Sequence, residues 1–191
     1  MEFTPVLRDE YGALFDKCEI RAERQQTIDD LIDRMLGNRN RYTGLKTIVP
    51  WFVIAAMHYL EDNLEFDKHL ANGDPLTRRT VHVPKGRPPG GRPPFTWEQS
   101  AADILRFKGF DTWTDWTLPG ILYRLEDYNG WGYREDHPTV LTPYLWSFSS
   151  LYTKGKFDGD GHFNKNLVSS QCGAAVLFKR MAATGLIVLD R

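Results

Sequence analysis

The sequence predicts a mainly α fold of the α+β class, a helical domain carrying one small β-hairpin insertion. Apolar residues recur at helical spacing in stretches near 9–36, 50–61, 96–108, 118–125 and 167–183. A single β-favouring run, Thr80, Val81 and Val83, follows the turn-forming Asn72-Gly73-Asp74-Pro75. With 191 residues, 41% hydrophobic and 26% charged, the chain suits one unit with a sizeable core, and no internal repeat divides it.

The first stretch, 9–36, sets Ala13, Leu14, Cys18, Ile28, Leu31, Ile32 and Met35 in helical register with charge between them. It is predicted to break once near Arg24 and to stop at Gly37. The polar linker "NRNRYTG" leads to a second helix, with Thr47 as cap and Pro50 in the first turn, where its missing N–H costs little. That helix runs to about Glu61 or slightly beyond. A short hairpin or extended arm is expected next, from the turn at 72–75 through Val83. Residues 84–94, "PKGRPPGGRPP", hold five Pro and three Gly in eleven positions, which forbids helix and central strand. Thr96 and Gln99 have capping-box spacing for a helix ending near Lys108-Gly109. Leu118, Ile121, Leu122 and Leu125 form a stripe leading into "EDYNGWGYR". The last helix is predicted from about Leu167 to Ala183, with Val168, Cys172, Ala175, Val176 and Lys179 in register and Gly185 behind it.

Formal net charge is −1, so nothing global favours nucleic acid or an anionic membrane. Charge is concentrated locally: from Asn72 to Pro94, Arg78, Arg79, Lys85, Arg87 and Arg92 stand against Asp74, a net of +4. No window reaches the ~18 apolar residues of a membrane span. The first residues lack a basic region followed by a long apolar one, so a chain cytoplasmic at synthesis is expected. Cys18 and Cys172 are too few for a disulfide scaffold; reduced, partly buried thiols are expected, with a single bridge left open.

The stretch "WFVIAAMHYLEDNLEF", Trp51 to Phe66, starts as an apolar helix and ends in acid. At about 100° per residue, Ile54, His58, Glu61 and Glu65 share one stripe. A carboxylate at the end of a buried helix is partly desolvated, which raises its pKa and suits a general acid. Solvated acids on a fraying last turn are the plain alternative. Residues 123–152 hold eight aromatics in thirty positions, against 13% for the chain. Of this region, Tyr128, Asn129, Trp131, Tyr133, Tyr144 and Trp146 stand in segments punctuated by Gly and Pro and expected to be loops. Flat faces with polar edges suit stacking on sugar rings, and core packing is the alternative. "DGDGHF", Asp158 to Phe163, lacks the third acid and the closing Glu of a calcium loop and reads as a turn. His58-x-x-Glu61 puts two metal-ligand types on one helical face, with His69 or His82 as third, yet completes no zinc spacing. No metal and no cofactor are expected.

An acid closing a buried helix, an arm after it and a later aromatic segment together resemble the lysozyme superfamily. The likeness is to lytic transglycosylases and goose-type lysozymes, whose catalytic Glu ends a buried helix and whose later Tyr-Asn-Ala-Gly motif lines the cleft. Glu61 in "LEDNLEF" and Tyr128-Asn129-Gly130 in "DYNGWGYR" correspond. Over almost the whole chain, from "VPWFVIAAMHYLE" through "NGDPLTRRTVHVPKGRPP" and "PYLWSFSSLYTKGKF" to "SSQCGAAVLFKRM", the sequence is similar to lysozyme-like proteins and endolysins of bacteria and their phages. Asp62 stands where transglycosylases usually have Ser, and no Gly-Leu-Met-Gln segment follows the acid.

The resemblance implies a single lysozyme-like catalytic domain over 1–191, with a β and Pro/Gly-rich arm at about 70–95. Its expected activity is cleavage of the bond between N-acetylmuramic acid and N-acetylglucosamine in peptidoglycan, as a muramidase, or with a lytic transglycosylase outcome. Glu61 is the expected general acid, and Asp74 and Glu65 are candidates for a second carboxylate. Asp62 is less suited, because adjacent helical residues point about 100° apart. His58 is expected to orient Glu61 or hold the helix end. The implied partner is the peptidoglycan glycan strand, met by a monomer acting on the cell wall after release; neither nucleic acid nor a membrane span is expected. A His/Glu metallopeptidase of the wall and a non-catalytic peptidoglycan-binding module are the alternatives. The cationic arm would attract anionic wall polymers and make activity fall with salt.

Overall fold

Helix α1 (Pro5–Lys17) starts where Thr4 Oγ1 accepts the amide of Leu7 and Pro5 takes a first-turn position that needs no donor. The computed structural model describes residues 1–159 and 161–191. After Lys17 the chain extends: Ile20 bridges Ser149, and the Arg21 amide donates to the Phe148 carbonyl. A 3-10 turn (Ala22–Arg24) then leads into α2 (Gln25–Gly37). The break expected near Arg24 is present: the chain leaves the helix after Lys17 and residues 19–21 bond to the segment around Phe148–Ser150.

The short α3 (Arg39–Thr43) packs on α4 (Trp51–Asp62), whose residues Phe52 to Leu60 are all buried. Pro50 is the N-cap of α4, while Thr47 accepts the Val49 amide before the helix begins. The helix stops at Asn63, which is left-handed at φ 58°, and Leu64 continues left-handed at φ 65°.

No strand forms between residues 70 and 95, contrary to the hairpin expected there. An isolated bridge joins Lys68 to Pro75, and the backbone of residues 80–87 bonds within itself. Thr80 N donates to Arg87 O, Gly86 N to Thr80 O, Thr80 Oγ1 to Pro84 O, and Arg87 N to Thr80 Oγ1. Prolines at 84, 88, 89, 93 and 94 have no N–H to offer a ladder, so the β-favouring Thr80–Val83 run has nothing to pair with. Helix α5 (Trp97–Phe107) begins with the predicted capping box: Thr96 Oγ1 accepts from Gln99 N, and the Gln99 side chain accepts from Thr96 N.

Helix α6 (Leu118–Asn129) runs further than the stripe suggested and includes Tyr128 and Asn129; α7 (Gly132–Asp136) follows after a single turn. The "YNGWGYR" segment is thus a helix–turn–helix rather than a loop. Helix α8 (Pro143–Trp146) precedes the sheet, an antiparallel hairpin of β1 (Lys156–Gly159) and β2 (His162–Asn164), with Phe157 opposite Phe163. The turn expected within "DGDGHF" includes Asp160, which lies outside the described residues. Helix α9 (Ala174–Ala183) starts later than predicted. Gly173 presses against α8, where a Cβ would stand 2.2 Å from the Leu145 carbonyl oxygen, and the extended entry this requires holds Cys172 outside the helix.

Two units result. One comprises Met1–Asp33 and Asp115–Arg191; in it α1 packs on α6, α6 on α8 and α9, and α8 on α9, around Tyr11, Ile121, Leu125, Trp146 and Phe178. The other is Arg34–Thr114, built on Tyr42, Ile54, Met57, Trp97 and Ile104. Cys18 and Cys172 are both buried and carry reduced thiols, the state the sequence suggested. Among the described residues, no helix is long and apolar enough to cross a membrane.

Candidate functional site

Helix α4 delivers its acids from inside the Arg34–Thr114 unit. Glu61 is half-buried, and the side chain of its neighbour Asp62 is fully buried. His58, one turn earlier, is enclosed by the rings of Phe66, Trp97 and Tyr42 at centroid distances of 4.4, 4.6 and 5.9 Å. Its Nδ1 lies 3.1 Å from the Tyr42 hydroxyl, and its Nε2 lies 3.3 Å from the Glu65 carbonyl oxygen. A carbonyl only accepts, so Nε2 carries the ring hydrogen and Tyr42 donates to Nδ1. Asp62 Oδ1 is 3.1 Å from the same Nε2, yet neither Asp62 oxygen completes a hydrogen bond, because the N–H is aimed at Glu65.

Protonation follows from this dryness. Burial pulls the imidazole of His58 down to about 4, so the ring is neutral at pH 7. Burial, then the charge of Glu61, pushes the Asp62 carboxyl up to about 8. The His58–Asp62 contact is accordingly between two neutral groups rather than a salt bridge.

Glu65 does not join the Ile54–His58–Glu61 stripe, because the left-handed Asn63 and Leu64 turn the chain away. Its side chain is exposed and pairs with Lys68 at 2.6 Å, and only its backbone carbonyl reaches His58. The turn carrying Asp74 does return to the end of α4: a methyl built on Gly73 would lie 3.6 Å from the Glu61 carbonyl oxygen. Asp74 itself is engaged. Oδ2 accepts the amides of Val81 (2.7 Å) and His82 (3.0 Å), and Oδ1 accepts from His82 Nδ1 (2.7 Å). Burial alone would raise this carboxyl, but those donors outweigh it and hold it at about 2. Asp74 is a permanent anion knotting the loop.

The metal-ligand reading meets occupied nitrogens. His69 Nδ1 lies 2.8 Å from Ser100 Oγ and Nε2 lies 2.8 Å from the Arg78 carbonyl, while both nitrogens of His58 face protein partners. Among the described residues, no group of three His, Cys, Asp or Glu is placed to hold a metal ion. The cationic arm is also partly engaged. Arg87 forms a fork on Asp103 (2.8 and 2.6 Å) above the Phe107 ring, and Arg79 donates to the Gly91 carbonyl. Arg78, Lys85 and Arg92 are exposed.

The aromatic candidates all belong to the other unit. Trp131 is half-buried, its Nε1 donating to Asp127 and its ring tilted on Tyr123 at 5.5 Å. Tyr128 and Tyr144 are half-buried, and Asn129 is exposed with Nδ2 3.5 Å from Thr142 Oγ1. Trp146 corrects the expectation: it is wholly buried in α8 and presents no face to a ligand. Tyr133 is also buried, packed on Phe157, its hydroxyl accepting the Phe157 amide. Sequence reasoning missed Glu126, a buried carboxyl on α6 that accepts from Tyr11 Oη (2.6 Å) and Arg134 Nε (3.0 Å), with Arg134 also bound to Glu10. Its long-range partner Tyr11 left no local signal.

Comparison with known proteins returns no match: no family model, no curated protein and no solved structure corresponds to this chain.

Proposed function

We propose that the protein is a peptidoglycan-cleaving glycosidase in which Glu61 is the general acid. The supporting observation is the end of α4, where a half-buried carboxyl follows a wholly buried apolar helix and stands beside an aromatic-enclosed His58–Asp62 pair. A general acid must remain accessible to its substrate, and a half-buried carboxyl at the end of a buried helix meets that condition. Glu61 gives its proton to the glycosidic oxygen between N-acetylmuramic acid and N-acetylglucosamine. The C–O bond breaks, and the positive charge develops on the sugar ring.

The state of the other carboxylates favours a second reading of the next step. A retaining or inverting hydrolase needs a carboxylate free to attack or to activate water. Asp74 already accepts three hydrogen bonds, and Glu65 is exposed and paired with Lys68. This supports capture of the oxocarbenium centre by the muramyl 6-hydroxyl, whose proton returns to the Glu61 carboxylate, the lytic transglycosylase outcome. The half-buried Trp131, Tyr128 and Tyr144 suit contact with a sugar face, and the exposed Lys85 and Arg92 suit an anionic wall polymer.

The test is digestion of purified peptidoglycan followed by mass spectrometry of the fragments. Anhydro-muramyl ends identify a transglycosylase, and reducing ends identify a hydrolase. Cut peptides, or intact glycan, reject the proposal.

A further inference from the structure

We propose that Asp62 is a positioning residue for Glu61 that works in its neutral, proton-bearing form, filling with His58 the dry space behind the end of α4. The inference rests on the glycosidase reading above. It begins with the geometry of Asp62. The side chain is fully buried, Oδ1 lies 3.1 Å from His58 Nε2, and neither oxygen completes a hydrogen bond; the nearby Glu65 amide favours the anion, but burial outweighs it. A carboxylate anion in that place would lose its hydration with too little to replace it, whereas a carboxylic acid has far less to lose.

The surroundings reinforce this. His58 is neutral and directs its ring hydrogen at the Glu65 carbonyl, so it supplies no cation to Asp62. Glu61 precedes Asp62 on the same turn and opposes its ionisation more strongly than Lys68 favours it. The cations that face this corner are engaged elsewhere. Lys68 is paired with Glu65, Arg41 lies over the Phe66 ring and bonds Glu98, and Arg34 donates to the Asn63 carbonyl. The last facing group, Tyr42, donates its hydroxyl hydrogen to His58. Asp62 is also the final residue of α4, followed by the left-handed Asn63. Packing its side chain therefore fixes the turn from which Glu61 projects. A charge on Asp62 would drive the carboxyl toward water and release that turn.

The consequence is an alkaline switch. Activity should fall as Asp62 ionises, above about pH 8. Asp62→Asn, which copies the shape of the protonated acid but cannot ionise, should keep kcat/KM within about threefold of wild type near neutrality and lack the alkaline limb. Asp62→Ala should lose about tenfold or more in kcat at every pH, with KM little changed, because the turn is no longer held. A purely structural Asp62 would lower both variants without moving the limb.

The experiment is a pair of pH–rate profiles on purified peptidoglycan with the full chain, together with infrared difference spectra of wild type against Asp62→Asn. An alkaline limb retained in Asp62→Asn, or an Asp62→Asn variant as inactive as Asp62→Ala, overturns the proposal. So does the absence of a protonated-carboxyl carbonyl band in the wild type at neutral pH, a readout that does not depend on either variant turning over substrate. Intact peptidoglycan with wild type overturns the glycosidase reading and the positioning role with it. In that case, a carbonyl band that vanishes above about pH 8 would show that the buried acid belongs to the fold alone.

Discussion

Nε2 of His58 and Oδ1 of Asp62 lie 3.1 Å apart, both side chains without solvent exposure, and between about pH 4 and 8 the pair carries one titratable proton beyond the neutral imidazole and carboxylate. That proton sits on the aspartate in the folded chain, where Asp62 titrates near 8 and His58 near 4, and on the histidine in the unfolded chain, where the ordinary values are 3.8 and 6.5. From about pH 4 to 6.5 the two states bind equal numbers of protons, and the pair leaves stability flat. Between 6.5 and 8 the unfolded chain has released its proton and the folded chain has not, so stability falls as pH rises, by about 2 kcal/mol over the window. Above 8 the dependence ends. Urea midpoints across about pH 6 to 9 should show this fall in wild type and not in Asp62→Asn.

Asp74 makes the opposite prediction at acid pH. Its folded value of about 2 lies below the ordinary 3.8, so its stabilising contribution is present above 3.8 and is lost as pH falls toward 2. Asp74→Asn should flatten that acid loss. It should also loosen residues 80–87, since one amide oxygen cannot serve three donors, and limited proteolysis should cut there first.

The cations of the arm divide by role. Arg87→Ala breaks a two-pronged bond to Asp103 and should cost about 2 kcal/mol of stability, with Arg87→Lys a poor substitute because a single ammonium cannot span both oxygens. Neutralising Lys85 and Arg92 should leave the denaturation midpoint unchanged and flatten the salt dependence of co-sedimentation with peptidoglycan.

The tryptophans separate in the same way. Trp146→Ala empties a fully buried site and should destabilise by about 3–5 kcal/mol in chemical denaturation. Trp131→Ala removes a half-exposed ring and should leave stability nearly intact while weakening glycan binding, read by titration with soluble peptidoglycan fragments.

Elements set by local rules were legible in the sequence. The α5 capping box and the buried α4 follow from Thr96, Gln99 and the apolar run, and both form as expected. What was not legible depends on contacts between distant segments or on a single backbone choice. The helical wheel that aligned Glu65 with His58 assumed that α4 continues, and two left-handed residues end it at Asp62. A carboxyl pushed up by burial is Asp62, the adjacent position that wheel arithmetic had set aside. The β-favouring Thr80–Val83 run lacked a partner among prolines, whereas Phe157 and Phe163 pair on neighbouring strands. Trp146 stands among turn-forming residues in sequence but serves the core of its unit, a fact carried by α6 and α9 packing rather than by its neighbours.

Gly73 limits how this chain can vary among descendants. Its Cα faces the Glu61 carbonyl with room for a methyl at 3.6 Å, so volume is no obstacle there; its φ of +73° is. Drift at position 73 should be confined to glycine and asparagine, the residues that tolerate a left-handed backbone. A β-branched residue would instead reverse the turn that brings the Asp74 knot back to the acid-bearing helix end. A single codon in an apparently dispensable loop thereby governs whether Glu61 keeps its surroundings.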